Sequence, residues 1–243
     1  MLTHTRKKLK KLHQVGFIPG IEDLLAVAYL IEILQIRIGD GKETWLAFLD
    51  LRKVYDLVPQ DLLFNKLRSK GIGENFVKVI ENIYRNNKSE VRIGKSVSET
   101  FRIQKGVRQG YPFSPILFDI FIDDMLEGMT SINIPGIKKN NFCGILFAGD
   151  TMLISESREE LENKISQVKE WLNNNEMELN ASKSGIMKFL RNERSEMPVY
   201  FAENIPAVNK YVYLGIEVND QLNEKMMAEF RIQKGWRTLE VIK

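Results

Sequence analysis

Apolar residues at Leu24, Val27, Ala28, Ile31 and Leu34 recur at intervals of three and four, which predicts a helix over 23–38. Gly39-Asp40-Gly41 predicts a turn. The run at 44–49 (TWLAFL) lacks polar alternation, suits a strand buried on both faces, and stops at Asp50. Pro59 and Gly71 frame a helix over 59–70, and Phe76, Val77, Ile80, Ile83 and Tyr84 mark another over 74–85. Residues 90–93 and 97–103 read as strands about a turn at Gly94-Lys95-Ser96. Pro115 opens a helix expected to reach about residue 129. Ser157, with Glu160 three residues on, caps a helix over 157–172. Short strands are expected at 145–147 and 152–154, around Ala148-Gly149-Asp150-Thr151, and again at 185–190 and 211–218. A further helix is expected after Asn219.

Helices and strands are thus interspersed without regular alternation, and neither a Gly-rich dinucleotide fingerprint nor a P-loop is present. The pattern favours an α+β architecture on one small sheet over a doubly wound nucleotide fold. The 243 residues are 44% hydrophobic and 28% charged, with a net charge of +3, which excludes a disordered tail, a collagen-like rod and a cysteine-stapled mini-protein. Cys143 stands alone, so no internal disulfide forms, and two histidines with one cysteine exclude the usual zinc constellations. A reducing, intracellular setting is the expectation. The longest apolar stretch, 24–34, is too short to span a membrane and contains Glu32, so no membrane partner is expected. Arg6, Lys7, Lys8, Lys10 and Lys11 lie close together without an acid; they make either a phosphate-contacting arm or a solvated flank.

Three segments offer chemistry. Asp50 ends an apolar strand and is followed by Tyr55 and Asp56; Gly106-Val107-Arg108-Gln109-Gly110 leads into Ser114-Pro115; Phe147-Ala148-Gly149-Asp150 sits in a tight strand–turn–strand. A carboxylate at a strand end is rigidly held, and Mg²⁺ takes such hard oxygen ligands while keeping some waters. Asp50 and Asp150 are the metal candidates, 100 positions apart, and only a sheet that sets their strands side by side unites them. The same residues also suit plain structural roles: Asp50 as a strand stop, Asp56 as a cap, Gly149-Asp150 as a hairpin turn.

Taken together in order, the segments resemble the fingers–palm portion of the reverse transcriptases of non-LTR (LINE-like) retrotransposons. Residues 16–20 (GFIPG) are similar to the early fingers motif, 47–59 (AFLDLRKVYDLVP) to the first palm motif, and 101–115 (FRIQKGVRQGYPFSP) to the second. Residues 146–155 (LFAGDTMLIS) resemble the catalytic hairpin. Leu179-Asn180 with Lys183-Ser184, and Tyr213-Leu214-Gly215-Ile216, resemble the later palm motifs, and the resemblance implies a primer-supporting hairpin at 213–215. The likeness runs over roughly residues 13–218, and six motifs in family order make it specific.

The resemblance implies a right-hand polymerase fold: fingers and palm over 1–218, with a small antiparallel sheet flanked by helices. Residues 219–243 are left for the start of a thumb or a C-terminal helix, so the thumb is expected to be mostly absent. It implies RNA-directed DNA polymerase activity with two Mg²⁺ ions (Mn²⁺ as substitute), an RNA template, a DNA primer and dNTPs, and a nuclear setting for a complete element. Asp50 and Asp150 are then the metal-binding catalytic residues, and Lys183 a general acid toward pyrophosphate. Leu51 lies at the incoming nucleotide, Tyr55 under its sugar as a barrier to a 2′-OH, and Gln109 and Gly110 near the nucleotide and template base pair. Arg108 either contacts phosphate or braces the loop.

The main departure is in the hairpin, where the family pattern is aromatic–Ala–Asp–Asp and Gly149 stands at the first Asp. That removes a carboxylate that the metal chemistry relies on, so impaired polymerisation is expected, and a catalytically inactive nucleic-acid-binding remnant of the same fold is the alternative. Val54 stands where the family has a small residue, Tyr111 where it has Cys, and Asp119 where it has Asn.

Overall fold

The computed structural model describes residues 23–108, 110–136, 142–190 and 199–222. The fingers motif at 16–20, the basic cluster before it, Gln109 and the helix expected late in 219–243 lie wholly or mostly outside these residues. The first helix, α1 (Asp23–Gly39), leads through a turn into β1 (Thr44–Asp50). Two short-range helices follow, α2 (Val54–Leu57) and α3 (Gln60–Ser69), then α4 (Glu74–Arg85). Four two-residue strands come next: β2 (Lys88–Ser89), β3 (Arg92–Ile93), β4 (Ser96–Val97) and β5 (Phe101–Arg102). Beyond them lie α5 (Ser114–Ile122), β6 (Gly144–Phe147), β7 (Asp150–Ser155), α6 (Arg158–Asn174), β8 (Gly185–Phe189), β9 (Lys210–Tyr213) and β10 (Ile216–Asn219).

The main sheet has four antiparallel strands in the order β6-β7-β1-β8. Strand β1 is central and, apart from half-buried Asp50, wholly buried, as its unbroken apolar run requires. Alternation along β1 then divides the core in two. Trp45, Ala47, Leu49, Leu146, Leu153 and Ile186 join a cluster with α3, α4, α5 and α6. Leu46, Phe48, Ile145, Met152, Ile154, Met187 and Phe189 join a second with α1 and the β9–β10 hairpin. No described helix is long and apolar enough to cross a membrane. The α+β expectation and the small antiparallel sheet hold.

Three element expectations need correction. The helix expected over 115–129 ends at Ile122. Lys66 Nζ donates to the Phe121 carbonyl at 2.8 Å, and the Met125 amide turns back to Ile122 rather than reaching Phe121. The strand expected at 97–103 is split: Ser96–Val97 pairs locally with Arg92–Ile93, whereas Phe101–Arg102 pairs with Lys88–Ser89. The stretch 211–218, one strand by its apolar pattern, is the hairpin that the resemblance implied, because Leu214 and Gly215 both take positive φ, 47° and 77°, the twist that a two-residue hairpin turn demands.

Candidate active site

The register of β1 against β7 sets Asp50 directly opposite Asp150. Side chains of directly opposed residues share one face of the sheet, with Cβ atoms about 5 Å apart. That face is the one bearing Phe48 and Met152, both buried. Both aspartates are half-buried at the strand ends, where the apolar run stops. Two residues that the sequence separates by 100 positions are thereby joined.

Around this pair the backbone is tied down. The Leu51 amide donates to the Gly149 carbonyl at 3.2 Å, binding the end of β1 to the β6–β7 turn. The Asn180 amide donates to the Asp50 carbonyl at 2.8 Å, and the Asp50 amide donates to Ser184 Oγ at 3.1 Å. The single-turn 3₁₀ helix Ala181–Lys183 thus flanks Asp50, and the Lys183 side chain is exposed on it. Tyr211 reaches over from β9, its ring stacked on Phe48 at 4.5 Å and 5°, and its hydroxyl donates to the Lys183 carbonyl at 2.8 Å. Burial, and then the nearby Asp150 and Asp50 carboxylates, push the Tyr211 hydroxyl up to about 12. Ser184 and Tyr211 are neighbours of the aspartate pair that sequence reasoning did not assign. Tyr211 lay inside a strand expectation, with no signal that its ring would stack on Phe48 and its hydroxyl reach the Lys183 loop.

The second group is built by α2 and the loop after β5. The Val107 amide donates to the Tyr55 carbonyl at 2.7 Å, and the Gly106 amide to the Val58 carbonyl at 2.8 Å. Gly106 has φ +90°, and a Cβ there would lie 3.0 Å from the Asp56 carbonyl oxygen and 3.1 Å from that of Tyr55, so the close approach requires glycine. The half-buried Tyr55 ring packs on Phe118 at 5.1 Å. Burial, and then Asp119, raise its hydroxyl above the usual tyrosine value. Asp119 itself is pushed up to about 7, by burial and then by Asp123.

Arg108 turns toward α4. One guanidinium nitrogen donates to the Ile83 carbonyl at 3.1 Å, and the Arg108 amide donates to the Tyr84 hydroxyl at 3.4 Å. Of the two roles open to Arg108, its contacts are those of a brace. Gly110 is exposed. Asp56 is exposed as well, and it is the Asp56 backbone that faces the Gly106 loop.

Asp50 and Asp150 are hard oxygen donors, and Mg²⁺ is commonly held by one or two carboxylates together with phosphate oxygens and water. The pair fits that donor set. Among the described residues no group of three or more Asp, Glu, His or Cys gathers to hold a metal. Gly149, beside Asp150, adds no side-chain oxygen.

Comparison with known proteins bears on the family and the fold. The family model for reverse transcriptase (RNA-dependent DNA polymerase) matches residues 2–218. The Pol polyprotein of the R2DM retrotransposable element of Drosophila melanogaster is 29% identical over 174 residues, 70% of this chain and 16% of that protein. The R2 Pol polyprotein of Nasonia vitripennis is 29% identical over 138 residues, 57% of this chain and 14% of that one. The probable RNA-directed DNA polymerase of the Drosophila melanogaster X-element is 25% identical over 221 residues, 86% of this chain and 23% of that one. The chain therefore spans less than a quarter of the length of these three relatives. In fold it is similar to apo telomerase of Candida tropicalis truncated from its C-terminal domain, with TM-score 0.62, 16% identity, and 91% of this chain covering 42% of that one. Telomerase of the same species in complex with a fragment of telomeric RNA superposes with TM-score 0.63, at 14% identity, over 91% of this chain and 36% of that one. Enzymes of the matched family work with divalent metal ions. Six ordered motifs, the opposed aspartates and a family match over nearly the whole chain agree: the chain belongs to the reverse transcriptase (RNA-dependent DNA polymerase) family, and the relatives it is similar to are proteins of retrotransposable elements.

Proposed function

We propose that this chain extends a DNA primer on an RNA template: the primer 3′-OH attacks the α-phosphate of a dNTP and pyrophosphate leaves. The observation that carries this reading is the register that sets Asp50 opposite Asp150 at the ends of adjacent strands. These two would hold the Mg²⁺ ions, or Mn²⁺ in their place. Bound there, two such ions supply charge neutralisation on the phosphates and a more acidic primer hydroxyl. The chain's own residues position the reactants. Leu51, fixed by its bond to Gly149, offers rigid backbone at the incoming nucleotide. The Tyr55 ring, held against Phe118, excludes a ribose 2′-OH by contact. Gly110 leaves room for the template base pair, with Gln109 beside it, and Arg108 keeps their loop braced on α4. Lys183, exposed on the loop that flanks Asp50, donates a proton to the departing pyrophosphate.

Gly149 leaves the site one carboxylate poorer than its family pattern, so polymerisation is slow. The same observation favours the second reading, an inactive fold that still binds nucleic acid. Primer extension with an RNA template, an annealed DNA primer, dNTPs and Mg²⁺ or Mn²⁺ separates the two. Slow extension that falls at least about 100-fold in Asp50→Asn supports the polymerase. Duplex binding without extension, in either metal, supports the inactive fold.

A further inference from the structure

Val54 and Gly149 meet although 95 positions separate them. Val54 opens α2, four residues past Asp50; Gly149 sits in the β6–β7 turn, next to Asp150. The φ of Gly149 lies outside the left-handed range, so its backbone accepts a side chain without strain. Packing resists one instead. A Cβ on Gly149 would lie 3.0 Å from Val54 Cγ1, 3.1 Å from Cγ2 and 3.6 Å from Cβ, and these are its three nearest neighbours. Val54 is β-branched and stiff at χ1, so it does not readily turn both methyls aside. The position matters because the Gly149 carbonyl is bonded to the Leu51 amide, next to Asp50. A carboxylate at 149 would therefore stand in the chain directly before Asp150 and in space beside the end of β1.

We infer that Val54 closes this turn to a third carboxylate, and that residues 54 and 149 jointly determine how many acidic ligands the site presents. Two departures from the family pattern are then one coupled change. With glycine at 149, the valine methyls fill space; with valine at 54, any side chain at 149 must push the valine aside by a few tenths of an ångström. Reverting Gly149 alone does not rebuild the site. This rests on the polymerase reading only for its activity readout.

The test is a set of variants: V54A, G149A, G149D and the doubles V54A/G149A and V54A/G149D. Thermal denaturation of the alanine cycle isolates the steric term without added charge. G149A lowers Tm by about 3 °C or more in the parent and by less than about 1 °C in the V54A background. Calorimetric titration with Mn²⁺ alone finds V54A/G149D binding at least about 10-fold tighter than the parent and than G149D. Additive Tm changes, or G149D binding Mn²⁺ as tightly as the double, overturn the inference. Primer extension separates it from the proposed activity. Coupling in Tm and Mn²⁺ affinity with no extension by V54A/G149D leaves the inference standing and sinks the polymerase. Faster extension by G149D alone sinks the inference and leaves the polymerase.

Discussion

Asp119 shows how a single residue carries pH dependence. Its carboxyl is pushed up to about 7 by burial and then by Asp123, against an ordinary value of 3.8. A raised acid pKa means that the folded state holds the proton more tightly than the unfolded chain does. The associated stability is full below about pH 4 and is lost as pH rises through about 7. Asp119→Asn keeps the shape and removes the titration. Melting curves from pH 5 to 8 should show the parent losing about 2 °C or more relative to the Asn variant, with the gap opening toward pH 7. A constant gap would show that Asp119 does not titrate in that window. The unusual residue type at 119 was legible in the sequence. So was Asp123 one turn on, but the burial of Asp119 was not, because half-burial depends on how α5 packs.

At the scale of elements, the site is two strand ends and two loops locked together. Gly106 joins the loops, since its missing Cβ lets the chain pass against the carbonyls of Tyr55 and Asp56. Gly106→Ala both meets those atoms and places a side chain at φ +90°, so it should destabilise by about 2 kcal/mol or more. Urea denaturation measures this, and a change below about 0.5 kcal/mol would show that the loop yields. Most elements were readable from apolar spacing: α3, α4, α6 and β1 lie within a residue or two of expectation. Ser157 caps α6 as its spacing with Glu160 implied, accepting from the Glu160 amide at 3.2 Å. The early end of α5 was not readable, because the Phe121 carbonyl is taken by Lys66 from another helix. The hairpin at 210–219 was legible through the family resemblance but not from the apolar pattern, because its turn contains Leu214, a residue that local composition does not mark as a turn.

For the whole molecule, one buried cation ties the far end of the sheet together. Arg37, 1% exposed at the end of α1, donates through Nε to Thr44 Oγ1 at 2.8 Å and through Nη2 to the Glu43 carbonyl at 2.8 Å. Its Nη1 bonds the Asn133 carbonyl and Glu156 Oε1. It therefore links α1, the start of β1, the segment before β6 and the residue after β7. Arg37→Ala leaves several of these acceptors without a donor and should cost on the order of 3 kcal/mol. The denaturation midpoint should fall at unchanged m-value, and a midpoint within about 0.2 M of the parent would contradict this.

By itself the sequence determined most of the elements, the α+β class and the family, because periodicity and motif order are properties of neighbours along the chain. It also named Asp50 and Asp150 as partners, but only on condition that their strands lie side by side. Tertiary structure decided that condition through the antiparallel register of β1 and β7, which runs Trp45–Ser155 to Asp50–Asp150 without a slip. It decided too that Val54 stands over Gly149 and that Tyr211 reaches the Lys183 loop. Contacts between residues 28 and 100 positions apart depend on how whole faces pack, and packing is summed over both cores rather than written in any local window.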